Sequence, residues 1–188
     1  LMIHELNLSS DDAGLMFIDF SHAYDYISQE YITTVMEKMN FPPILVDTLR
    51  TTMQHQKGRV IIGADSSAEF GINNGGKQGD PLFPLIYVIA MEGLVALLKA
   101  SPTYQGISTP RGEEMVTVAG YADDTVIGIG SQSDAEALPA LLKTFELASG
   151  NEIKPGKSFI MWLGQAQGSL QEVYGVKPMP PDKSERYL

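Results

Sequence analysis

Cysteine is absent from the 188-residue chain, which removes disulfides, thiolate metal sites and cysteine nucleophiles from consideration. Histidine is scarce, and His4, His22 and His55 are scattered, which argues against a histidine-built zinc site. Carboxylate oxygen, the donor for hard cations, stays open. Positive charge is also short: 13 Lys and Arg stand against 23 Asp and Glu, a net charge of −10 at pH 7. Such a chain repels nucleic acid unless its cations are local or another region supplies them. Leu1 to Ser10 lacks a basic region followed by an apolar core, so no secretory signal is read there. The start at Leu1 suggests a piece of something longer. The one window approaching the length of a membrane span, Pro81 to Ala100, contains Pro84, Glu92 and Lys99. It reads as a buried core helix, and no membrane partner is expected.

What is present fits one ordinary folded domain. Hydrophobic residues make up 44%, and a chain of this length buries roughly 70% of its unfolded surface. Leu15 to Phe20 (LMFIDF) is a short apolar run with Asp19 near its end, as in a buried central strand carrying an acid at its C-terminal edge. Ser28 is placed to cap a helix with Ile32, Val35, Met36 and Met39 facing the core. Asn40, Pro42 and Pro43 end that helix and start another, from Ile44 to about Gln54. Lys57 to Ile72 reads as a hairpin turning at Gly63-Ala64-Asp65-Ser66, and it leads into the polar loop GINNGGKQGDP. Pro84 sits suitably in the first turn of the apolar helix.

Further on, Ser133 and Glu136 form a capping-box pattern ahead of Leu138, Leu141, Leu142 and Phe145, with Gly150 as the stop. Pro139 inside this helix predicts a bend or a late start. Lys154-Pro155-Gly156-Lys157 is a tight loop before a strand from Phe159 to Leu163, and Gly164 to Leu188 is poor in pattern. The order predicts an α+β fold, a mainly antiparallel sheet with helices packed on one face.

GYADDTVIGI, Gly120 to Ile129, places Asp123 and Asp124 between flanks rich in β-branched residues. That pattern is a hairpin with two acids at its tip. Alone, it equally describes a solvated turn. In the α+β arrangement, however, the end of the Asp19 strand and this tip can be neighbours. Three carboxylates in one place suffice to hold two magnesium ions roughly 3.5 to 4 Å apart, the arrangement of polymerases and nucleases.

Four stretches in order, FIDFSHAYD, GGKQGDPLFPL, YADD and SGNEIKPGKSFIMWLG, resemble the reverse transcriptase palm, most closely that of non-LTR, LINE-type retrotransposons. The closing ERYL resembles the start of the next family block. The resemblance implies a polymerase palm with a ferredoxin-like core over residues 1–188, truncated at both ends. Within it, 57–80 leads to the nucleotide-contacting segment, and 164–188 is an incomplete C-terminal element. It implies RNA-directed DNA polymerase activity, in which two magnesium ions, replaceable by manganese, are held by Asp19, Asp123 and Asp124. Phe20, Tyr24, Lys77, Gln78 and Gly79 are the implied nucleotide-binding residues, Tyr24 excluding a ribose 2′-hydroxyl, and Lys157 the implied catalytic cation near the triphosphate. The implied partners are an RNA template, a DNA primer, dNTP, and the family's fingers and thumb regions. An intracellular and, for the parent element, nuclear setting follows by the same resemblance.

Asp25 and Asp80 belong to the same blocks and read as structural acceptors. The sequence departs from the family where His22 replaces a usual Lys, Phe83 a usual Ser and Lys77 a usual Arg. The alternatives are an RNA-dependent RNA polymerase palm, against which Tyr24 argues, and a non-catalytic or decayed palm module.

Overall fold

A computed structural model describes residues 13–77, 79–108, 115–121, 124–166, 169 and 171–179, apart from the side chains of Tyr121 and Gln165. The centre is strand β1, Ala13–Ile18, whose six residues are all buried. A strand buried on both faces has to be apolar throughout rather than alternating, which accounts for the continuous run ending at Ile18. Met16 and Ile18 point into the main core, whereas Ala13, Leu15 and Phe17 join Ile107 and Leu163 in a smaller cluster on the other face.

Around β1 the small pairs come first in sequence: β2 (Lys57–Gly58), β3 (Ile61–Ile62), β4 (Asp65–Ser66), β5 (Phe70–Gly71), β6 (Ile107–Ser108) and β7 (Met115–Val116). The main sheet adds β8 (Val118–Tyr121), β9 (Asp124–Ile129), β10 (Phe159–Leu163) and β11 (Lys177–Pro178), in the order β11-β10-β1-β9-β8. Both neighbours of β1 run antiparallel to it, and among the described strands only β11 is parallel to its partner. Gly14 pairs with Trp162 across the sheet. A Cβ at Gly14 would come within 2.8 Å of the indole, so the indole lies over the bare glycine.

Five helices cover one face among the described residues: α1 (Ala23–Tyr26), α2 (Gln29–Lys38), α3 (Pro43–Gln54), α4 (Phe83–Ala100) and α5 (Gln132–Ser149). Ser28 caps α2 as expected, its hydroxyl accepting from Tyr31 N at 3.2 Å. The α4 helix is long and apolar enough to cross a membrane by length and composition, yet it buries one face, through Phe83, Ile86, Tyr87, Ala90, Met91, Leu94 and Leu98, in the core. Each fully buried large side chain there stabilises by roughly 1.5 to 3 kcal/mol relative to exposure. The fold is the α+β arrangement read from the order of elements.

Several local expectations are corrected. Met39 follows the last turn of α2 and is 44% exposed instead of core-facing. The cap of α5 is Ser131, not Ser133: its hydroxyl accepts from Asp134 N at 3.1 Å. Glu136 accepts instead from the Gln132 side chain at 3.0 Å. The late start that Pro139 suggested is not seen, for α5 begins at Gln132 and continues through the proline. The hairpin after α3 is interrupted, with β2 pairing β5 and β3 pairing β4, and its turn is narrower than expected because Ile62 pairs with Asp65.

Candidate nucleotide and metal site

The register of the sheet sets the site. Ile18 pairs with Thr125, so one step further the chain brings Asp19 level with Asp124, the exposed first residue of β9. On the other flank Phe17 pairs with Phe159, and beyond that pair Lys157 lines the same cavity as Asp19. Tyr121 pairs with Asp124, so the strands flanking the YADD segment form the hairpin read from its sequence. Asp123 and Gln78 lie outside the described residues.

The Asp19 backbone is fixed from both directions. Its N–H donates to Ser158 Oγ at 3.0 Å, and its carbonyl accepts from Lys154 N at 2.8 Å. The Lys154–Lys157 turn is closed by Lys157 N and Ser158 N, each donating to Lys154 O at 3.0 Å. Among the described residues, no hydrogen bond or ion pair reaches the Asp19 carboxylate, and neither Lys77 nor Lys157 is engaged in an ion pair. Rigid backbone and unengaged charge are what a ligand site requires.

A cavity of about 490 Å³ opens here. Its lining includes Asp19, Tyr24, Lys77, Gly79 and Lys157. A second cavity of about 780 Å³, lined by Pro155, Gly156, Lys177 and Pro178 among others, shares Asp19 and Lys157 with the first. Phe20 lines the first cavity, but it is only 7% exposed and its ring lies 5.9 Å from that of Phe145, so most of the side chain is core. Tyr24 is half-buried on α1 and Gly79 adopts φ 87° in open space. The structure therefore brings Asp19, Tyr24, Lys77, Gly79 and Lys157 to one cavity, with Asp124 one register step beyond the Ile18–Thr125 pair.

Two features of this cavity have no single-residue signal in the sequence. Gly75 and Gly76 dock the polar loop against α1: Gly75 N donates to Ile27 O at 2.7 Å and Gly76 N to Tyr24 O at 3.2 Å. A Cβ at Gly75 would lie 2.3 Å from Tyr24 O, and one at Gly76 would lie 2.1 Å from the Phe83 ring. Glycine is required at both by close approach, and the adjacent pair in GINNGG is the signal that could have pointed to it. Asp80 closes the loop as expected, its carboxylate accepting from Leu82 N at 2.9 Å. Asp25 and His22 also line the cavity, His22 in the left-handed region at φ 55°.

The carboxylate oxygens of Asp19 and Asp124 are the donors that suit a hard divalent cation. Among the described residues no group of three acidic or histidine side chains is assembled; the third acid of the pattern, Asp123, is outside them.

Residues 2–185 match the family model described as reverse transcriptase (RNA-dependent DNA polymerase). The chain belongs to the reverse transcriptase family. Its relatives include the transposon TX1 uncharacterized 149 kDa protein of Xenopus laevis, 24% identical over 90% of this chain and 12% of that protein. Another is the Pol polyprotein of the type-2 retrotransposable element R2DM of Drosophila melanogaster, 29% identical over 76% of this chain and 13% of that protein. The chain thus spans about an eighth of their length. Among solved structures it is similar to apo telomerase of Candida tropicalis, with TM-score 0.65 and 12% identity over 90% of this chain and 35% of that one. Telomerase of the same organism in complex with a fragment of telomeric RNA gives TM-score 0.57 and 10% identity, over 87% of this chain and 28% of that one. These neighbours share the polymerase palm fold. The resemblance read from the sequence blocks to a non-LTR reverse transcriptase palm is borne out.

Proposed function

We propose that this chain is the catalytic palm of an RNA-directed DNA polymerase of a LINE-type element, joining a deoxynucleoside triphosphate to a primer 3′-hydroxyl. The observation that supports this most is the unengaged Asp19 carboxylate, level with Asp124 at the mouth of a cavity that also holds Tyr24, Lys77, Gly79 and Lys157. Asp19, Asp123 and Asp124 are the residues to hold magnesium or manganese. When bound, such a pair of ions supplies Lewis-acid activation of the attacking oxygen and charge neutralisation at the leaving one.

The chain's own side chains do the rest. Tyr24 limits the space at the sugar and disfavours a 2′-hydroxyl. Gly79, without a Cβ, lets the loop backbone approach the nucleotide, and Gln78 is suited to hydrogen-bond the sugar. Lys77 and Lys157 offset triphosphate charge, and Lys157 is the group to give a proton to departing pyrophosphate. A net charge of −10 opposes a grip on duplex, so we assign template and primer holding largely to fingers and thumb regions elsewhere in the parent protein. A nuclear site of action for that parent belongs to the same reading.

The test is primer extension on an RNA template with a DNA primer, magnesium and low salt. Incorporation of dNTP that Asp19→Asn abolishes, and that Tyr24→Val opens to rNTP, is expected. Equal use of rNTP by the unaltered chain would make it an RNA polymerase palm, and extension indifferent to Asp19→Asn would overturn the site.

A further inference from the structure

Tyr24 is one member of an aromatic wall. Its ring lies 4.7 Å from that of Tyr87, tilted by 50°, and 6.3 Å edge-on from that of Phe83. Neither backing ring has room to retreat. Tyr87 is 0% exposed in the middle of α4, and Phe83 is pressed so closely on Gly76 that a methyl group there would overlap its ring. The Tyr87 hydroxyl accepts a hydrogen bond from Asn151 Nδ2 at 3.1 Å. Asn151 is itself 0% exposed, its N–H donates to Ser149 Oγ at 3.0 Å, and its Oδ1 is buried with no hydrogen-bond partner among the described residues. An asparagine kept in the core with half its amide unsatisfied is costly as packing, and is better explained by what its other half holds.

We propose that Tyr87, anchored by Asn151, is a positioning residue that sets how far the Tyr24 ring projects into the cavity and thereby tunes the choice between deoxyribonucleotide and ribonucleotide. The inference rests on the reading of Tyr24 as the residue facing the sugar. A ring packed against a rigid partner resists displacement by a 2′-hydroxyl; against a softer partner it yields. The Asn151 link also ties this resistance to the loop after α5, the same segment that carries Lys157. That loop is joined to the end of β1 by the Phe20–Ile153 bridge and by Ser21 N donating to Glu152 O at 2.8 Å.

The experiment measures dissociation constants of dATP and ATP for the chain, with magnesium at low salt, by titration calorimetry. It compares the unaltered chain with Tyr24→Val, Tyr87→Leu, Tyr87→Phe and Asn151→Ala. Tyr87→Leu is expected to lower the ratio of ATP to dATP dissociation constants by roughly fivefold, the scale of one aromatic contact. Tyr87→Phe and Asn151→Ala, which keep the ring and loosen only its anchor, are expected to lower it by about two- to threefold, the scale of one hydrogen bond. A merely structural role would weaken both nucleotides in proportion and leave the ratio unchanged. Should Tyr87→Leu fail to fold, the two milder variants decide. If Tyr24→Val collapses the ratio while the Tyr87 and Asn151 variants preserve it, this inference falls and the reading of Tyr24 stands. Absence of discrimination in the unaltered chain, or an unchanged ratio in Tyr24→Val, overturns both.

Discussion

Asp19 and Asp134 are the same residue type at two ends of the same structure, and they spend their charge oppositely. Asp134 is 1% exposed. Its carboxylate accepts from Gln105 N at 2.9 Å, Gly106 N at 3.1 Å and Gly130 N at 2.9 Å. It ties the start of α5 to the end of β9 and to the segment before β6. Nearby, Tyr104 donates to Thr117 O at 2.9 Å and Gly128 O at 2.6 Å. At the other end of the sheet, Asp19 has a pinned backbone and an unengaged carboxylate beside Asp124. One acid has its oxygens consumed by the fold. The other leaves them unengaged. Burial of charge is tolerated only with full satisfaction, so the first arrangement is architecture, and the second is explicable as a site.

This contrast can be broken at its structural end first. Asp134→Ala leaves three backbone N–H groups without their acceptor and should destabilise the chain by about 3 kcal/mol or more, measured by urea unfolding. Gly76→Ala comes next. Its methyl must displace Phe83, and a loss of roughly 1 to 3 kcal/mol is expected from overpacking, with a weakened nucleotide response because Phe83 backs Tyr24. A smaller effect belongs to Glu146, whose carboxylate accepts from Ile153 N at 2.8 Å, Tyr174 OH at 2.6 Å and Lys143 Nζ at 3.2 Å. Glu146→Gln keeps the shape and one acceptor oxygen, and should cost about 1 kcal/mol in the same unfolding assay.

Proton linkage sharpens the structural end further. Burial raises the pKa of Tyr31 and, together with the charge of Asp134, that of Tyr104. Both keep their protons in the folded chain above the pH at which an unfolded tyrosine ionises, about 10. Their contribution to stability is therefore complete below about pH 10 and declines as pH rises beyond it. Stability followed from pH 8 to 11 should fall more steeply for the unaltered chain than for Tyr104→Phe, which starts lower and loses less.

Much of this was legible in sequence because it is local. The apolar run into Asp19, the Ser28 cap, the strand Phe159–Leu163 and the paired flanks of Asp124 each declare themselves within a few residues. Asp134 did not. Within its own segment it is an acid in the first turn of a helix, and its three partners include the backbone of a segment about thirty residues earlier, for which no side-chain pattern exists. The misplaced cap has the same origin: Ser131 and Ser133 are both plausible caps, and the Asp134 contacts to Gly106 and Gly130 decide between them. Gly75 and Gly76 were legible as loop residues, but their docking on α1 depends on a close backbone approach that only the tertiary fold creates. Met39 had the right spacing for the core and lost it because α2 ends one residue too soon.

The central claim is that the Asp19 carboxylate is left unengaged in order to bind a divalent cation with its acidic neighbours. The most direct measurement is the thermal unfolding midpoint of the unaltered chain and of Asp19→Asn, with and without magnesium. In the absence of the ion, Asp19→Asn should match or exceed the unaltered chain, because it removes a charge next to Asp124 and breaks no hydrogen bond. Added magnesium should raise the midpoint of the unaltered chain and leave that of Asp19→Asn where it was. An equal rise in both, or none in the unaltered chain, would contradict the account.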